Sequence, residues 1–243
     1  MNNKLIIYNG QAEQDKFVLN ILSGKKNGYF LELGSCFAEK SNNTFILENS
    51  FKWIGIMIEY DNKYLYEWKD LRPNSKHIIN NALNINYKNL LKDSPKNIDY
   101  LSFDLEVRNG STIKTLEKFD IEIMNEYKFA VITFEHDLYN SGNYKETRIK
   151  SRNIFKKHGY IPVFKDINNN NPNIVYEDWY VHPELVNMNY VNNLKEINKN
   201  NYKDNNLTGL SISWKDIIYP QNDNLLFITD SNARIYEKKG EFY

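Results

Sequence analysis

Cysteine is almost missing from this sequence. Cys36 stands alone, which excludes a disulfide framework and a zinc site built from several cysteines. An excess of either charge is missing too, since 31 basic residues meet 31 acidic ones and the formal net charge is zero. Without a global basic field the chain has no general attraction for nucleic acid or an anionic membrane, and no nucleic-acid partner is expected. No apolar run approaches the roughly 18 to 20 residues that a membrane span needs. The opening stretch MNNKLIIYNG has an apolar core too short for a signal peptide, so a cytoplasmic chain is expected. Glycine-rich phosphate loops are absent as well. No G-x-x-x-x-G-K-[ST] run occurs, and no G-x-G-x-x-G follows the first strand pattern. There is no internal repeat.

What the chain does contain is an alternation of strand and helix patterns. Its 243 residues suit one sizeable domain with a small addition. The organising stretch is GYFLELGSCFAEKSNNT at 28–44. An apolar run (Tyr29, Phe30, Leu31, Leu33) carries one acid, Glu32, then breaks at Gly34 into a polar turn and restarts as a helix near Ser41. Strand, glycine turn and helix form the opening half of a βαβ unit, whose ligands settle at the carboxyl edge of the strands. Ahead of it, residues 11–22 place Phe17, Val18, Ile21 and Leu22 on one helical face. After it, the patterns predict helices over 41–49, 61–71, 111–119 and 144–158, the last stopped by Gly159. Strands are predicted over 53–59, 76–80, 98–106, 128–133, 160–164 and 174–181. Residues 83–92 fit a short strand or a turn of helix, and the Asn-rich 168–173 and 198–206 read as loops. The fold class is therefore α/β: a Rossmann-like, doubly wound, mostly parallel seven-stranded sheet over 1–203, with right-handed crossovers. From 204 to 243 the alternation stops. SISWKDIIY, NLLFITD and ARIYEKKG predict a small C-terminal appendage of short strands outside the main sheet, a candidate arm for a partner or for homo-oligomer formation.

Strand ends converge on one edge of such a sheet, so the candidates for chemistry are the polar residues found there. They are Glu32, Gly34 and Ser35 after the first strand, Glu59 after the second and Asn81 after the third. Asp104 and Glu106 follow the fourth, and Glu135, His136 and Asp137 the fifth. Any one of them could be a solvated loop residue; their recurrence on five successive strands argues for a site. Glu59 supplies the carboxylate that a ribose needs, which points to an adenosine-containing cofactor. Phe37 and Ala38 after the single Gly34 leave no room for a pyrophosphate, which disfavours NAD and FAD. S-adenosylmethionine carries no phosphate and is the cofactor expected. His136 could take a proton from a hydroxyl, or could simply be hydrogen-bonded at a strand end. Glu135, His136 and Asp137 could hold a divalent cation with Asp104, although no spacing demands one, and metal dependence stays unknown. Cys36 reads as a small turn residue, Gln11 and Asp15 as the cap and solvated face of a first helical turn, and Arg148 and Arg152 as a solvated helix face. His182 reads as a loop residue, beside an aromatic pair, Trp179 and Tyr180, that could line an acceptor pocket.

Taken in order, these pieces resemble the FkbM-type methyltransferases of the class I S-adenosylmethionine-dependent fold. The resemblance runs from Gln11 to about His182, through residues 11–15, GYFLELGS, SNNT at 41–44, WIGIMIEYDNKY, Asn81-Ala82-Leu83, IDYLSFDLE, VITFEHD and DWYVH. It implies a reversed final strand and O-methylation of a hydroxyl, commonly on a sugar, a glycan or another small metabolite. It also implies that Gln11, Glu32, Gly34, Ser35, Thr44, Glu59, Asn81 and Asp104 form the donor pocket, with Glu59 on the ribose hydroxyls and Asn81-Ala82 flanking the adenine. Two departures stand out. The family's first turn usually continues with a small acidic-glycine pair where this chain has Phe37 and Ala38, and the acid-glycine step after the fourth strand reads Glu106-Val107. Both place bulkier residues near the cofactor.

The expected function is an O-methyltransferase with His136 or Asp104 as base, most of the rate coming from alignment of the two reactants. Two alternatives remain open at this point. One is a catalytically weakened binding or scaffolding protein on the same fold. The other is a metal-dependent enzyme built on Glu135, His136 and Asp137.

Overall fold

The computed structural model describes residues 6–140, 144–221 and 225. The parallel part of the sheet comprises β1 (Tyr29–Leu33), β2 (Ile54–Glu59), β3 (Lys76–Ile79), β4 (Asn97–Phe103) and β5 (Lys128–Glu135). It is continued by β6 (Ile161–Asn168), β7 (Val175–Val181), β8 (Tyr202–Asn205) and β9 (Gly209–Ser213), in the spatial order β3-β2-β1-β4-β5-β7-β6-β9-β8. Strand β7 is reversed, lying antiparallel between β5 and β6. From β1 the chain winds outward to β2 and β3, then returns to β4 and β5 on the other side. The switch point therefore falls between β1 and β4, at the strands' carboxyl edge.

The central strands are apolar on both faces because both faces are covered. On one side Phe30, Met57, Tyr100 and Val131 pack with Phe17 and Val18 of α1 (Gln14–Ile21) and Leu47 and Phe51 of α2 (Phe45–Phe51). On the other, Leu31, Ile56, Leu101 and Ile132 pack with Leu116 and Phe119 of α5 (Ser111–Glu122) and Phe155 of α6 (Tyr144–Lys157). Helices α3 (Leu65–Leu71), α4 (Tyr87–Leu90) and α7 (Met188–Asn198) complete the layers. The ambiguous 83–92 segment resolves into a 3₁₀ turn, Ala82–Asn84, and α4. No described helix is long and apolar enough to cross a membrane.

The expected seven-stranded sheet with short strands standing outside it needs correction. Strand β9 joins β6 in parallel, pairing Ile167 with Ile212 and Asn168 with Ser213, and β8 closes a hairpin onto β9. Strand β6 runs past the predicted 160–164 to Asn168, through Asp166 at φ +57°, and an edge of that length invites a partner. Asparagine hid the extension. Asn168, read as loop, donates from Nδ2 to Ser211 Oγ at 3.0 Å, and Asn205 at the hairpin turn accepts from the Leu207 and Thr208 amides. Apart from Leu225, the runs NLLFITD and ARIYEKKG lie outside the described residues.

Candidate active site

Gly34 closes β1 at the switch point. Its φ is +80°, and a Cβ there would fall 1.7 Å from the Asp104 carbonyl oxygen, so only glycine lets the turns after β1 and β4 touch. Behind this turn sits Glu32, buried, its Oε2 accepting from Thr44 Oγ1 at 3.0 Å and Asn42 Nδ2 at 3.2 Å. Burial pushes the Glu32 carboxyl up, and the Arg72 guanidinium, with Asn42, Ser35 and Thr44, works against that rise. Arg72, fully buried, also reaches Glu48 Oε2, Asn42 Oδ1 and Thr44 Oγ1 at 2.7–2.8 Å. Thr44 and Ser35 are therefore supports of the turn: Thr44 has no exposed surface, and the Ser35 hydroxyl donates back to the Glu32 carbonyl.

Glu59 ends β2 half-buried. Its Oε2 accepts the Cys36 amide at 3.1 Å and its Oε1 the Tyr60 and Asp61 amides at 2.8 and 3.2 Å, which fixes the carboxylate beside the Gly34 turn. Cys36 is exposed as a residue, but partial desolvation of its thiol and the Glu59 and Asp104 charges push it up to about 12, which disfavours a thiolate at neutral pH. Asn81 caps the turn after β3, accepting the Leu83 amide at 2.9 Å beside the buried Ala82.

Beside these turns, at the ends of β4 and β5 and the start of β7, lies a narrow cleft that none of Gly34, Glu59 and Asn81 lines. Gln11 and Gln14 enter it from the start of α1 and Asn43 from the residue pair before α2. Asp104 comes from β4's end, Glu135 from β5's, and Tyr176 and Glu177 from β7, with Phe103 and Thr133 also on its wall. Glu135 shares a hydrogen bond with Asp104 and another with Asp137. Burial pushes all of these carboxyls up, with mutual repulsion adding to it: Asp104 above its ordinary value, Glu135 well above, Asp137 to about 6 and Glu177 to about 8. Glu177 accepts from Gln14 Nε2 at 3.1 Å.

Sequence reasoning missed Gln14, Asn43 and Glu177. It looked for polar residues at strand ends, but a reversed strand brings its start to the shared edge, and Glu177 pairs with Glu135 there. The reversal was the available signal. Asp15, expected on a solvated face, is fully buried. Its Oδ2 accepts the Asn9 and Gly10 amides at 2.6 and 3.2 Å and so holds the strap that carries Gln11 to the cleft.

The expected base, His136, is not at the cleft. Neighbours along a strand face opposite ways, and with Glu135 turned into the cleft His136 enters the layer beneath it with no exposed surface. Its Nδ1 accepts the Leu138 amide at 3.2 Å, and its Nε2 stands 3.5 Å from Asp178 Oδ1 and 3.9 Å from Asp166 Oδ1. Arg148 and Arg152, expected on a solvated face, instead clamp Asp166 and Asp178 with paired 2.7 Å hydrogen bonds. Burial alone would raise Asp178, but His136 and Arg152 hold it well below the usual carboxylate range. His136, Asp166 and Asp178 do bring donor atoms within 4.8 Å of one another. Both carboxylates are already neutralised by guanidinium groups, however, so a dication would meet fixed positive charge. The combination of Glu135, His136, Asp137 and Asp104 as metal ligands is divided between two faces of the sheet.

The aromatic pair is also displaced from its expected role. Trp179 is buried against Phe17 and Phe164, and the Tyr180 hydroxyl donates to Asp178. His182 packs edge-on against Tyr160 and accepts the Glu184 amide. The bulkier turn residues leave the cleft clear. Phe37 packs edge-on against Tyr64, Ala38 is buried with its amide on Glu67, and Val107 is buried outside the lining.

The strand order defines a Rossmann-like α/β protein whose topological switch point lies between β1 and β4. No family model and no curated protein matches the sequence. Among solved structures, the chain is similar to a candidate rRNA methylase from Clostridium thermocellum, at 16% identity and TM-score 0.49 over 73% of this chain and 99% of that one. An rRNA methylase from Streptococcus thermophilus aligns at 13% identity and TM-score 0.46, over 74% and 99%. A candidate methyltransferase from Streptococcus mutans, in complex with SAH, aligns at 10% and 0.46, over 72% and 99%.

Proposed function

We propose that this chain is an S-adenosylmethionine-dependent O-methyltransferase of the FkbM type, acting on a hydroxyl of a sugar, a glycan or another small metabolite. The observation that carries the reading is the Glu59 carboxylate fixed beside the Gly34 turn at the β1–β4 switch point, next to an acidic cleft at the ends of β4 and β5 and the start of β7. The chemistry of the lining fits the donor. Its sulfonium and ammonium are cations, and among the described residues no basic side chain lines the cleft. Glu59 would hold the ribose hydroxyls, Asn81 and Ala82 would flank the adenine, and Glu32, Gly34 and Gln11 would shape the remainder.

The bound donor supplies an electrophilic methyl group. Asp104 or Glu135 would take the proton of the acceptor hydroxyl as its oxygen is methylated. A carboxyl raised by burial is a better base near neutral pH than an ordinary one. Phe103 and Tyr176 limit water beside these groups.

Titration calorimetry with S-adenosylhomocysteine tests the reading. Binding is expected, weakened by about tenfold or more in Glu59→Ala through loss of hydrogen bonds to charge. Asp104→Asn is expected to keep that binding while lowering turnover by roughly 10²–10⁴-fold. No binding at millimolar ligand would end the proposal.

A further inference from the structure

The whole chain is electrically balanced, but the wall of this cleft is one-sided. Asp104, Glu135 and Glu177 line it and Asp137 adjoins Glu135, with no lysine, arginine or histidine in the lining among the described residues. A second, uncharged feature has the same polarity. Asn43 is 6% exposed; its Nδ2 donates to Ser102 Oγ at 2.9 Å, while its Oδ1 has no hydrogen-bond partner. A buried acceptor left without a donor is costly unless something bound supplies one. Acceptors thus converge from the segment before α2 and from β4, β5 and β7.

The methyl donor does not balance this wall. It brings a sulfonium, an ammonium and a carboxylate, a net single positive charge, to three lining carboxyls. Of these, Glu177, lifted to about 8, and Glu135, lifted well above its ordinary value, hold their protons near neutral pH while the cleft is empty. A second cation placed against these carboxyls draws their protons off and pairs with the carboxylates so formed, and Asn43 Oδ1 still needs a donor. An alkylammonium has three N–H donors and no acceptor, which matches Asn43 Oδ1 and two carboxylates. A phosphodiester would meet repulsion at the same wall.

We propose, resting on the methyltransferase reading above, that the acceptor binds as a cation: a small hydroxyl-bearing amine of the amino-alcohol or amino-sugar kind, its ammonium seated among Asn43, Glu135 and Glu177.

The test is calorimetry on the full chain saturated with S-adenosylhomocysteine, with D-glucosamine, N-acetyl-D-glucosamine and D-glucose as matched probes. Glucosamine is expected to bind at least about tenfold more tightly than either neutral sugar, a preference that shrinks as salt is added. Glu177→Gln is expected to bring the three within about twofold of one another. Should that variant fail to fold, Asp137→Asn at the rim is expected to reduce the preference in the same direction. Equal binding of the neutral sugars, no binding of glucosamine, or tighter binding of a short single-stranded RNA would overturn the proposal. If S-adenosylhomocysteine itself does not bind, the methyltransferase reading falls. The glucosamine comparison then runs on the protein alone, where a preference for the amine upholds the cation site and equality removes it.

Discussion

Arg72 donates to oxygens from separate stretches of chain: the Ala38 carbonyl, Asn42, Thr44 and Glu48. It has no exposed surface, and the Glu48 side chain it pairs with is 1% exposed. Cutting the guanidinium away leaves a carboxylate stranded in the core. Arg72→Met is therefore expected to cost about 3–5 kcal/mol, read as a lower urea midpoint with an unchanged slope. Glu177 shows the opposite tension, since burial lifts its carboxyl from an unfolded value of 4.5 to about 8. Between those pH values the folded state holds more protons than the unfolded one, so stability falls as pH rises. Asp15, lifted from 3.8 to about 7, adds to the same trend. Asp178, held low, loses its contribution only as pH drops below its ordinary value of 3.8. The thermal midpoint of the free protein is expected to decline from pH 5 to pH 8, and Glu177→Gln to flatten the upper half of that decline. A midpoint that rises across this range contradicts the burial argument.

At the scale of elements, α1 matters beyond its eight residues because it delivers Gln14 to the cleft while anchoring on the far strands. Its anchor is Phe17, stacked on Trp179 at 4.6 Å between ring centroids and edge-on to Phe164 at 6.0 Å. Phe17→Ala is expected to cost about 3–5 kcal/mol through the cavity it leaves. Because the helix then loses its register against β7, S-adenosylhomocysteine affinity should fall with stability, although Phe17 does not line the cleft. Calorimetry beside a denaturation curve checks both, and a destabilised variant with full affinity would separate the helix from the site.

For the whole molecule, the sheet does not finish where the Rossmann-like pattern finishes. Strands β9 and β8 cover the outer edge of β6, with Ile212 fully buried and Ser211 donating to the Pro172 carbonyl. A chain ended after Asn201 would expose that edge and forfeit about 1.5–3 kcal/mol from Ile212 alone. It is expected to self-associate and to melt earlier, as size-exclusion chromatography with light scattering and a thermal scan would show. This reverses what an independent arm would do, whose removal should dissolve an oligomer.

Local pattern determined a good deal. The parallel strands, the amphipathic α1, the Gly34 turn and the acids after β2, β4 and β5 were legible because strand period, helix period and turn chemistry act over a few neighbouring residues. Folding decided which side of the sheet each of those residues faces and which distant residues meet them. Glu135 and His136 are adjacent in sequence, yet one enters the cleft and the other joins Arg152 and Asp178 beneath it, since pleat alternates and charge pairs across strands far apart in the chain. Glu177 reached the site only through the antiparallel pairing of β7, and Asn168 became strand only because β9 came to lie beside it. Those are long-range contacts, and nothing in the immediate neighbourhood of either residue encodes them.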